Sequence, residues 1–196
     1  MGQYFSNEKL PSKVKVINAR ICGRDFKFLT DNGVFSKDRI DFGSRLLLES
    51  IPQNEVGAKV LDVGCGYGTI GIVINKLTGA TVDMVDVNRR AIHLALRNIK
   101  ENDCSNINAF LSNCYESVNC IYDTIITNPP IRAGKGVVYE IVMGANRFLN
   151  DSGKLFLVVR KEQGAKSLIS KLNEVYNVEI IEKKSGYFII KCSKKI

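Results

Sequence analysis

The sequence predicts an α/β fold in which a seven-stranded, mostly parallel sheet carries helices on both faces. Three observations predict it. From residue 59 onward, short apolar runs alternate with segments of helical periodicity, and repeated strand–helix units of this kind form parallel sheets. Gly64, Gly66 and Gly68 lie between the first of these runs and a helical segment. Two apolar runs around Lys184-Ser185-Gly186 close the chain and predict a hairpin that adds an antiparallel C-terminal strand.

Residues 1–50 are predicted to form a small basic N-terminal extension, a β-hairpin and a helix packed on the main domain. Apolar runs at 14–22 and 26–30 flank a turn at Gly23-Arg24-Asp25, which is the pattern of a hairpin. The helix is expected over 42–50, ahead of a proline that stops it.

Residues 51–196 are predicted to form the main domain, in which strands and helices alternate. Asn88 is suited to be the N-cap of the second helix, whose predicted apolar face comprises Ala91, Ile92, Ala95, Leu96 and Ile99. Strands are expected at 59–63, 81–86, 107–111, 122–127, 155–160, 178–183 and 187–192. Helices are expected at 69–77, from 88 onward, at 135–149 and at 165–176, with a turn over Asn150-Asp151-Ser152-Gly153.

Composition excludes several classes of protein. The chain has 196 residues, of which 45% are hydrophobic, as in a globular domain with one core. No apolar run approaches the roughly 20 residues that cross a bilayer, and no signal-peptide pattern opens the chain. Six cysteines without a Cys-x-x-Cys pair, and a single histidine, argue against a metal site and a disulfide framework. Free thiols are typical of a reducing compartment, so we expect a cytoplasmic protein with no metal and no membrane partner.

The net charge of +8 is concentrated at the two ends of the chain. Residues 1–40 carry eight basic and four acidic side chains, and residues 154–196 carry ten and four. The middle carries ten basic and twelve acidic side chains. Basic ends of this kind attract a polyanion, so RNA is the expected partner, against the alternative that these lysines only solvate the surface.

The glycine segment predicts a site for a nucleoside cofactor in a Rossmann-like fold. Gly64 and Gly66 permit a tight turn and a close approach of the ligand to the backbone. Asp86 ends the next predicted strand, where a carboxylate accepts hydrogen bonds from both hydroxyls of a ribose. The spacing G-x-G-x-G differs from that of dinucleotide-binding folds. Asp62 would attract the cationic tail of S-adenosylmethionine and repel the pyrophosphate of NAD, which disfavours a nucleotide oxidoreductase.

Asn128, Pro129 and Pro130 follow the fourth predicted strand of the main domain and are the predicted catalytic residues. The side-chain oxygen of Asn128 and a backbone carbonyl at Pro129 can accept the two N–H bonds of a planar exocyclic amine. That geometry favours a nitrogen that becomes tetrahedral and directs its lone pair at a methyl group. The prolines fix the direction of the carbonyls. The alternative interpretation is an ordinary rigid turn.

The chain resembles class I S-adenosylmethionine-dependent methyltransferases over nearly its whole length. It looks most like the small single-domain branch related to ribosomal RNA guanine 2-amino (guanine-N2) methyltransferases. The segments that carry the resemblance are 30–36, 61–71, 86–91, 127–135 and 161–165. It implies that Asp86 holds the ribose and Asn128 the target amine. The implied cofactor-binding residues are Asp62, Gly64, Cys65, Gly66, Asp86, Val87, Asn113, Cys114 and Asn128.

Two positions depart from the pattern of the related enzymes. Asn113 stands where they usually have an acidic residue that holds the adenine amine, and its amide oxygen can still accept that bond. Ile131 stands where many amine methyltransferases have an aromatic residue that stacks on the target. The residues expected to contact substrate or RNA are Phe35, Ile131, Arg132, Lys135 and Lys161.

These features predict an enzyme that methylates an exocyclic amine, a guanine of 16S ribosomal RNA, with the small ribosomal subunit or its RNA as partner. Three alternatives stay open from the sequence. The target can be a glutamine amide of a translation factor or an adenine amine, although the missing aromatic after Asn-Pro-Pro counts against both. The chain can also be a non-catalytic RNA-binding module, against which the presence of Asp62, Asp86 and Asn128 counts.

Overall fold

The structure is a computed structural model that describes residues 10–195. The strands of this part are β1 (Lys15–Ile21), β2 (Arg24–Thr30), β3 (Lys59–Val63), β4 (Thr81–Asp86), β5 (Ile107–Leu111), β6 (Tyr122–Thr127), β7 (Leu149–Arg160), β8 (Tyr176–Lys184) and β9 (Tyr187–Lys194). The helices are α1 (Phe42–Ser50), α2 (Thr69–Thr78), α3 (Arg89–Glu101), α4 (Lys135–Gly144) and α5 (Ala165–Leu172).

Within residues 10–195 the main sheet has seven strands in the order β5-β4-β3-β6-β7-β9-β8. Strands β3 to β7 pair in parallel, and β9 lies antiparallel between β7 and β8. The predicted class is therefore confirmed. One apolar cluster covers the face of the sheet that carries α1, α2 and α3, and a second covers the face that carries α4 and α5.

Local signals placed several element ends correctly. Gly79 ends α2 in the left-handed conformation, with φ of 74°, which glycine adopts without a steric penalty. Asn88 is the N-cap of α3, and its side-chain oxygen accepts hydrogen bonds from the backbone N–H groups of Arg90 and Ala91. Asp41 caps α1 in the same way through the N–H of Ser44.

The predicted helix over 135–149 is wrong in its last part. Helix α4 ends at Gly144, a single 3-10 turn follows over Ala145–Arg147, and β7 begins at Leu149. The carbonyl of Phe148 accepts a hydrogen bond of 2.8 Å from the N–H of Tyr122, so the chain pairs with β6 from this point. The predicted turn at 150–153 is instead an irregular start of β7, opposite a register shift between Tyr122 and Thr124.

Two other boundaries also differ from the prediction. Helix α5 ends at Leu172, and β8 begins at Tyr176, a fully buried residue whose hydroxyl donates to the carbonyl of Val142 at 2.9 Å. The first hairpin turns at Cys22 and Gly23 rather than at 23–25, because both residues have positive φ angles, 49° and 80°, as a two-residue turn requires.

Leu96 was predicted to lie on the apolar face of α3 and is 41% exposed. Leu94 is buried in its place, together with the polar residue Asn98. The periodicity misplaced the face because it could not anticipate that α3 packs against β2 as well as against the sheet.

The N-terminal hairpin attaches to α3 through asparagine side chains that mimic a paired strand. Asn98 Oδ1 accepts a hydrogen bond from the N–H of Leu29 at 2.7 Å, and its Nδ2 donates to the Leu29 carbonyl at 2.9 Å. Asn102, one turn later, makes the same pair of bonds with Lys27. The hairpin, α1 and the core share one apolar cluster. The division at residue 50 stays a prediction, and residues 1–9 of the extension lie outside the described part.

None of the helices in residues 10–195 has the length and apolar character that crossing a bilayer requires.

Candidate active site

A cavity of about 360 Å³ opens at the carboxyl ends of the parallel strands. It lies where the order of the sheet passes from β3 to β6, and open α/β sheets bind ligands at such a switch point. Most of the predicted site residues line it: Phe35, Gly64, Cys65, Gly66, Asp86, Val87, Asn113, Cys114, Asn128, Pro129, Pro130, Ile131 and Arg132. Asp62, Lys135 and Lys161 are not among the lining residues.

The loop between β3 and α2 is anchored to the end of β4. The N–H groups of Gly64 and Cys65 donate to the carbonyl of Val85 at 2.8 and 3.0 Å. The N–H of Gly66 donates to Asp86 Oδ2 at 2.8 Å, and the N–H of Asn88 donates to Asp86 Oδ1 at 2.8 Å. Both carboxylate oxygens of Asp86 are thus oriented by the backbone, and each retains a lone pair for a ligand.

Burial raises the pKa of Asp86 above its usual range, and the backbone N–H groups of Asn88, Gly66 and Val87 oppose this effect. The same hydrogen bonds from Gly66 and Asn88 fix the orientation of the Asp86 carboxyl group in the wall of the cavity. The side chain of Val87 next to it is 39% exposed, and it gives this wall an apolar surface beside the polar one.

Asp62 lies beneath the glycine loop and is 1% exposed. Its Oδ2 accepts a hydrogen bond of 2.9 Å from the N–H of Gly71. A Cβ at Gly71 would lie 2.5 Å from the sulfur of Met84, so only glycine lets α2 approach the sheet closely enough for this bond. A direct contact between Asp62 and a cofactor stays a prediction.

Residues 33–36 cover one side of the cavity and are tied to the cofactor motifs. The carbonyl of Gly33 accepts a hydrogen bond of 3.0 Å from Asn88 Nδ2. The carbonyl of Ser36 accepts one of 3.4 Å from the hydroxyl of Tyr67. Phe35, between them, lines the cavity and is 50% exposed. A large aromatic side chain at the mouth of a cavity offers a surface on which a base can stack.

Asn113 and Cys114 form the wall at the end of β5. The Nδ2 of Asn113 donates to Glu116 at 2.9 Å, which leaves the amide oxygen as an acceptor, as its predicted contact with an adenine amine requires. Burial, followed by the nearby Glu140 carboxylate, raises the pKa of the Cys114 thiol to about 11. This cysteine is therefore a neutral thiol near pH 7 rather than a nucleophile.

Asn128 directly follows β6, and β3 lies between β6 and β4, the strand that ends at Asp86. The preceding residue, Thr127, fixes the strand end because its hydroxyl donates to the Val63 carbonyl at 2.8 Å. The Nδ2 of Asn128 donates to Asp41 Oδ2 and to Ser44 Oγ, both at 2.9 Å. Among the described residues no donor bonds to its Oδ1.

Asp41 and Ser44 line the cavity, and the sequence analysis did not identify them. Their spacing of three residues before an apolar run is a helix-capping signal, and such a signal does not indicate a place in a cavity. Arg160, Gln163 and Tyr187 also line the cavity and were missed. The Arg160 guanidinium lies 5.0 Å from the centre of the Tyr187 ring.

The predicted cations Arg132, Lys135 and Lys161 are exposed around the β6 and β7 ends of the cavity. Within residues 10–195, none of the three forms a salt bridge. Unpaired cations are available to a phosphate backbone. The same part of the chain holds no cluster of His, Cys, Asp and Glu that could bind a metal ion.

Comparison with known proteins gives a family match over most of the chain. The family model "Methyltransferase small domain" matches residues 25–191. The chain is 42% identical to "Uncharacterized protein YbxB" of Bacillus subtilis, over 99% of this chain and 100% of that protein. It is 30% identical to the ribosomal RNA small subunit methyltransferase C of Psychromonas ingrahamii, over 93% of this chain.

A solved structure with the same fold is that of the T. thermophilus 16S rRNA guanine-N2 methyltransferase RsmC, in complex with AdoMet and guanosine. It superposes with a TM-score of 0.83 at 27% identity, over 95% of this chain and 52% of that one. The chain also covers 52% of the Psychromonas enzyme. It therefore spans about half the length of these two methyltransferases and the whole length of the Bacillus protein.

Proposed function

Because the chain belongs to the methyltransferase small domain family, we propose that it transfers a methyl group to the 2-amino group of a guanine in 16S ribosomal RNA. S-adenosylmethionine is its cofactor. When bound, this cofactor supplies an electrophilic methyl group on a sulfonium centre. The protein's own residues then have to hold the donor, orient the target amine and exclude water.

The residues around the cavity fit this cofactor. The two Asp86 oxygens, oriented by Gly66 and Asn88, would accept hydrogen bonds from the ribose hydroxyls. The loop that carries Gly64 and Cys65 would hold the methionine part. The buried Asp62 carboxyl beneath that loop has an Oδ1 with no partner in the described residues, and it would place negative charge under a cationic tail.

The observation that carries the proposal is the state of the Asn128 side chain. Its Nδ2 is occupied by Asp41 and Ser44, so its Oδ1 is the group that can serve a ligand in the cavity. A carbonyl oxygen there accepts an N–H of an exocyclic amine. A second acceptor, the backbone carbonyl at Pro129, would take the other N–H and favour a tetrahedral nitrogen. This is the arrangement expected for methylation of a conjugated amine.

Three features support RNA as the substrate and the small ribosomal subunit as the partner. The Psychromonas and T. thermophilus relatives are named as methyltransferases of small-subunit rRNA. The exposed cations at the cavity mouth, Arg132 among them, suit phosphates. Ile131 gives an apolar contact where an aromatic residue is absent, and the exposed ring of Phe35 can stack on a base that is turned out of its helix.

The experiment is methylation of 16S rRNA and of small ribosomal subunits, both prepared from a strain that lacks the gene, with radiolabelled S-adenosylmethionine. Nucleoside mass spectrometry should find N2-methylguanosine in the product. Asn128→Ala should bind the cofactor within a few fold of wild type and lose about 100-fold or more in turnover. Incorporation of label into a translation-factor glutamine instead of RNA would overturn the substrate assignment and leave the family and the cofactor intact.

A further inference from the structure

The first turn of α1 contacts the side chain of Asn128 across a long stretch of sequence. Asp41 and Ser44 are 87 and 84 residues away from Asn128 along the chain. The Asp41 Oδ2 accepts hydrogen bonds from the Ser44 N–H at 2.9 Å, from the Ser44 hydroxyl at 3.3 Å and from Asn128 Nδ2 at 2.9 Å. One carboxylate oxygen thus joins the helix cap to the asparagine.

The chemistry of these groups permits only one orientation of the Asn128 amide. An ionised carboxylate accepts hydrogen bonds and cannot donate them. If the amide were rotated by half a turn, its carbonyl oxygen would face the Asp41 carboxylate, two acceptors without a proton between them. The orientation that directs Nδ2 at Asp41 and Ser44 therefore keeps Oδ1 on the other side.

Neighbouring residues fix the position of Asp41. Its backbone has the extended conformation of an N-cap, with φ of −61° and ψ of 137°, and its carbonyl accepts the N–H of Arg45 at 3.0 Å. A Cβ added at Gly43 would lie 3.0 Å from Asp41 Oδ2 and 3.0 Å from the Tyr187 ring. The Phe42 ring packs against Tyr187, with ring centres 5.3 Å apart. The cap is thus held between α1 and β9.

We infer that Asp41 and Ser44 are positioning residues that lock the Asn128 carboxamide with its oxygen directed at the target amine. The hydrogen bond to a carboxylate also polarises the amide and strengthens its oxygen as an acceptor. The inference rests on the proposed function for the role of Asn128, but its geometric part, the locked amide, is independent of the substrate. It assigns to the N-terminal extension a part in catalysis besides the RNA binding that its charge predicts.

A double-mutant cycle tests whether Asp41 acts through Asn128. We expect Asp41→Ala to lower kcat on the order of 10- to 100-fold, with the Kd for S-adenosylmethionine unchanged. In the Asn128→Ala background the same substitution should change kcat by less than about 2-fold, because residues that act as a unit are not additive. If Asp41→Ala lowers kcat by the same factor in both backgrounds, the inference is wrong.

Three further variants separate positioning from loss of the helix cap. Asp41→Asn retains an N-cap and an acceptor for Asn128 and should recover part of the lost kcat. Ser44→Ala keeps the cap, since the cap uses the backbone N–H of Ser44, and removes one acceptor of Asn128, so kcat should fall. Glu49→Ala removes another α1 carboxylate, one that lies 3.7 Å from Arg45, and should leave kcat unchanged. A kcat that follows the melting temperature across all of these variants would show a structural role.

A measurement that needs no methyl acceptor keeps the test independent of the proposed substrate. The side-chain NH2 signals of Asn128, assigned in 15N spectra by their loss in Asn128→Ala, should be protected from solvent exchange in wild type and in Glu49→Ala. They should exchange faster in Asp41→Ala. Unchanged Asn128 signals in Asp41→Ala and Ser44→Ala would overturn the locked amide. Absence of rRNA methylation together with a locked amide would overturn only the proposed substrate.

Discussion

The Asp62 carboxylate and the Gly71 N–H are joined by a hydrogen bond of 2.9 Å that lies wholly inside the protein. Only one carboxylate oxygen is used, and the other is buried without a partner in residues 10–195. Burial raises the pKa of Asp62 to about 7, the Gly71 N–H opposes that effect, and the Asp86 charge adds to it. The glycine loop therefore rests on a carboxyl group that titrates near neutral pH.

We predict that Asp62→Asn stabilises the cofactor-free protein at pH 8. Between about pH 4 and 7 the native Asp62 keeps a proton that the unfolded chain has released, so the free energy of unfolding falls as pH rises through this window. Asparagine carries no charge at any of these pH values, so the free energy of unfolding of Asp62→Asn does not fall through this window. Thermal melts at pH 5 and pH 8 should show a rise in Tm at pH 8 only, by about 2–4 °C for each kcal/mol gained.

The matched control is Asp151→Asn, which changes an exposed carboxylate. Its Tm difference from wild type should be the same at both pH values. Saturating S-adenosylmethionine should reduce the Tm difference between Asp62→Asn and wild type at pH 8, because a bound cation favours the ionised aspartate. A variant that is less stable than wild type at pH 8 would contradict the assigned titration.

We predict that Asp86→Ala weakens S-adenosylmethionine binding by about 1.5–3 kcal/mol, the scale of hydrogen bonds to a charged group. Asp86→Asn should lose less, since its amide oxygen can still accept from one ribose hydroxyl or from one loop N–H. Calorimetry with the purified protein measures both values, and NAD should not bind. Equal affinity of wild type and Asp86→Ala for S-adenosylmethionine would show that Asp86 does not bind the ribose.

Both the fold class and the Asp86 and Asn128 positions could be predicted because their signals are local. The run over 59–63, the glycines after it and the acidic end of β4 all lie within short windows, and parallel strands bring their carboxyl ends together. The contact of Asp41 with Asn128 could not be predicted, because it joins α1 to the end of β6. A capping residue has the same sequence signal whether or not its carboxylate also binds a distant side chain.

The errors in element boundaries have the same origin. Residues 145–149 were predicted to continue the helix, but α4 ends at Gly144 and Phe148 bonds to Tyr122 on a neighbouring strand. Leu96 is spaced for the apolar face of α3, yet the face turns toward β2 because Asn98 bonds to it. The hydrophobic periodicity of a helix predicts that one face is buried. It does not predict that the helix also packs against a second element, as α3 does against β2.

We predict that Asn98→Ala lowers the free energy of unfolding by about 3 kcal/mol or more. Its removal leaves the Leu29 N–H and carbonyl and the Tyr67 carbonyl unpaired in the interior, each at a cost of about 1–3 kcal/mol unless water reaches it. Asn102→Ala removes the same kind of pair from Lys27 at the surface and should cost about 1 kcal/mol. Urea titrations measure both. Equal losses would show that burial does not decide the strength of this junction.

We predict that Arg132→Ala weakens RNA binding without changing cofactor affinity. Arg132 lines the cavity, is exposed and forms no salt bridge within residues 10–195. Its guanidinium is therefore available to bind a phosphate. Methylation should therefore require more RNA, with kcat at saturating RNA little changed. The slope of log Kd against log salt should fall by about 1, as for one phosphate contact.

Lys100→Ala is the matched control for Arg132→Ala. Lys100 is an exposed cation in the last turn of α3, and because α3 runs back along parallel strands, its end lies at the opposite edge of the sheet from the cavity. Its removal takes away the same charge, so a change in net charge alone would affect both variants equally. RNA affinity that falls with Arg132→Ala and holds with Lys100→Ala places the phosphates at the cavity mouth. Equal losses of RNA affinity in the two variants would show only a general electrostatic attraction between the protein and RNA.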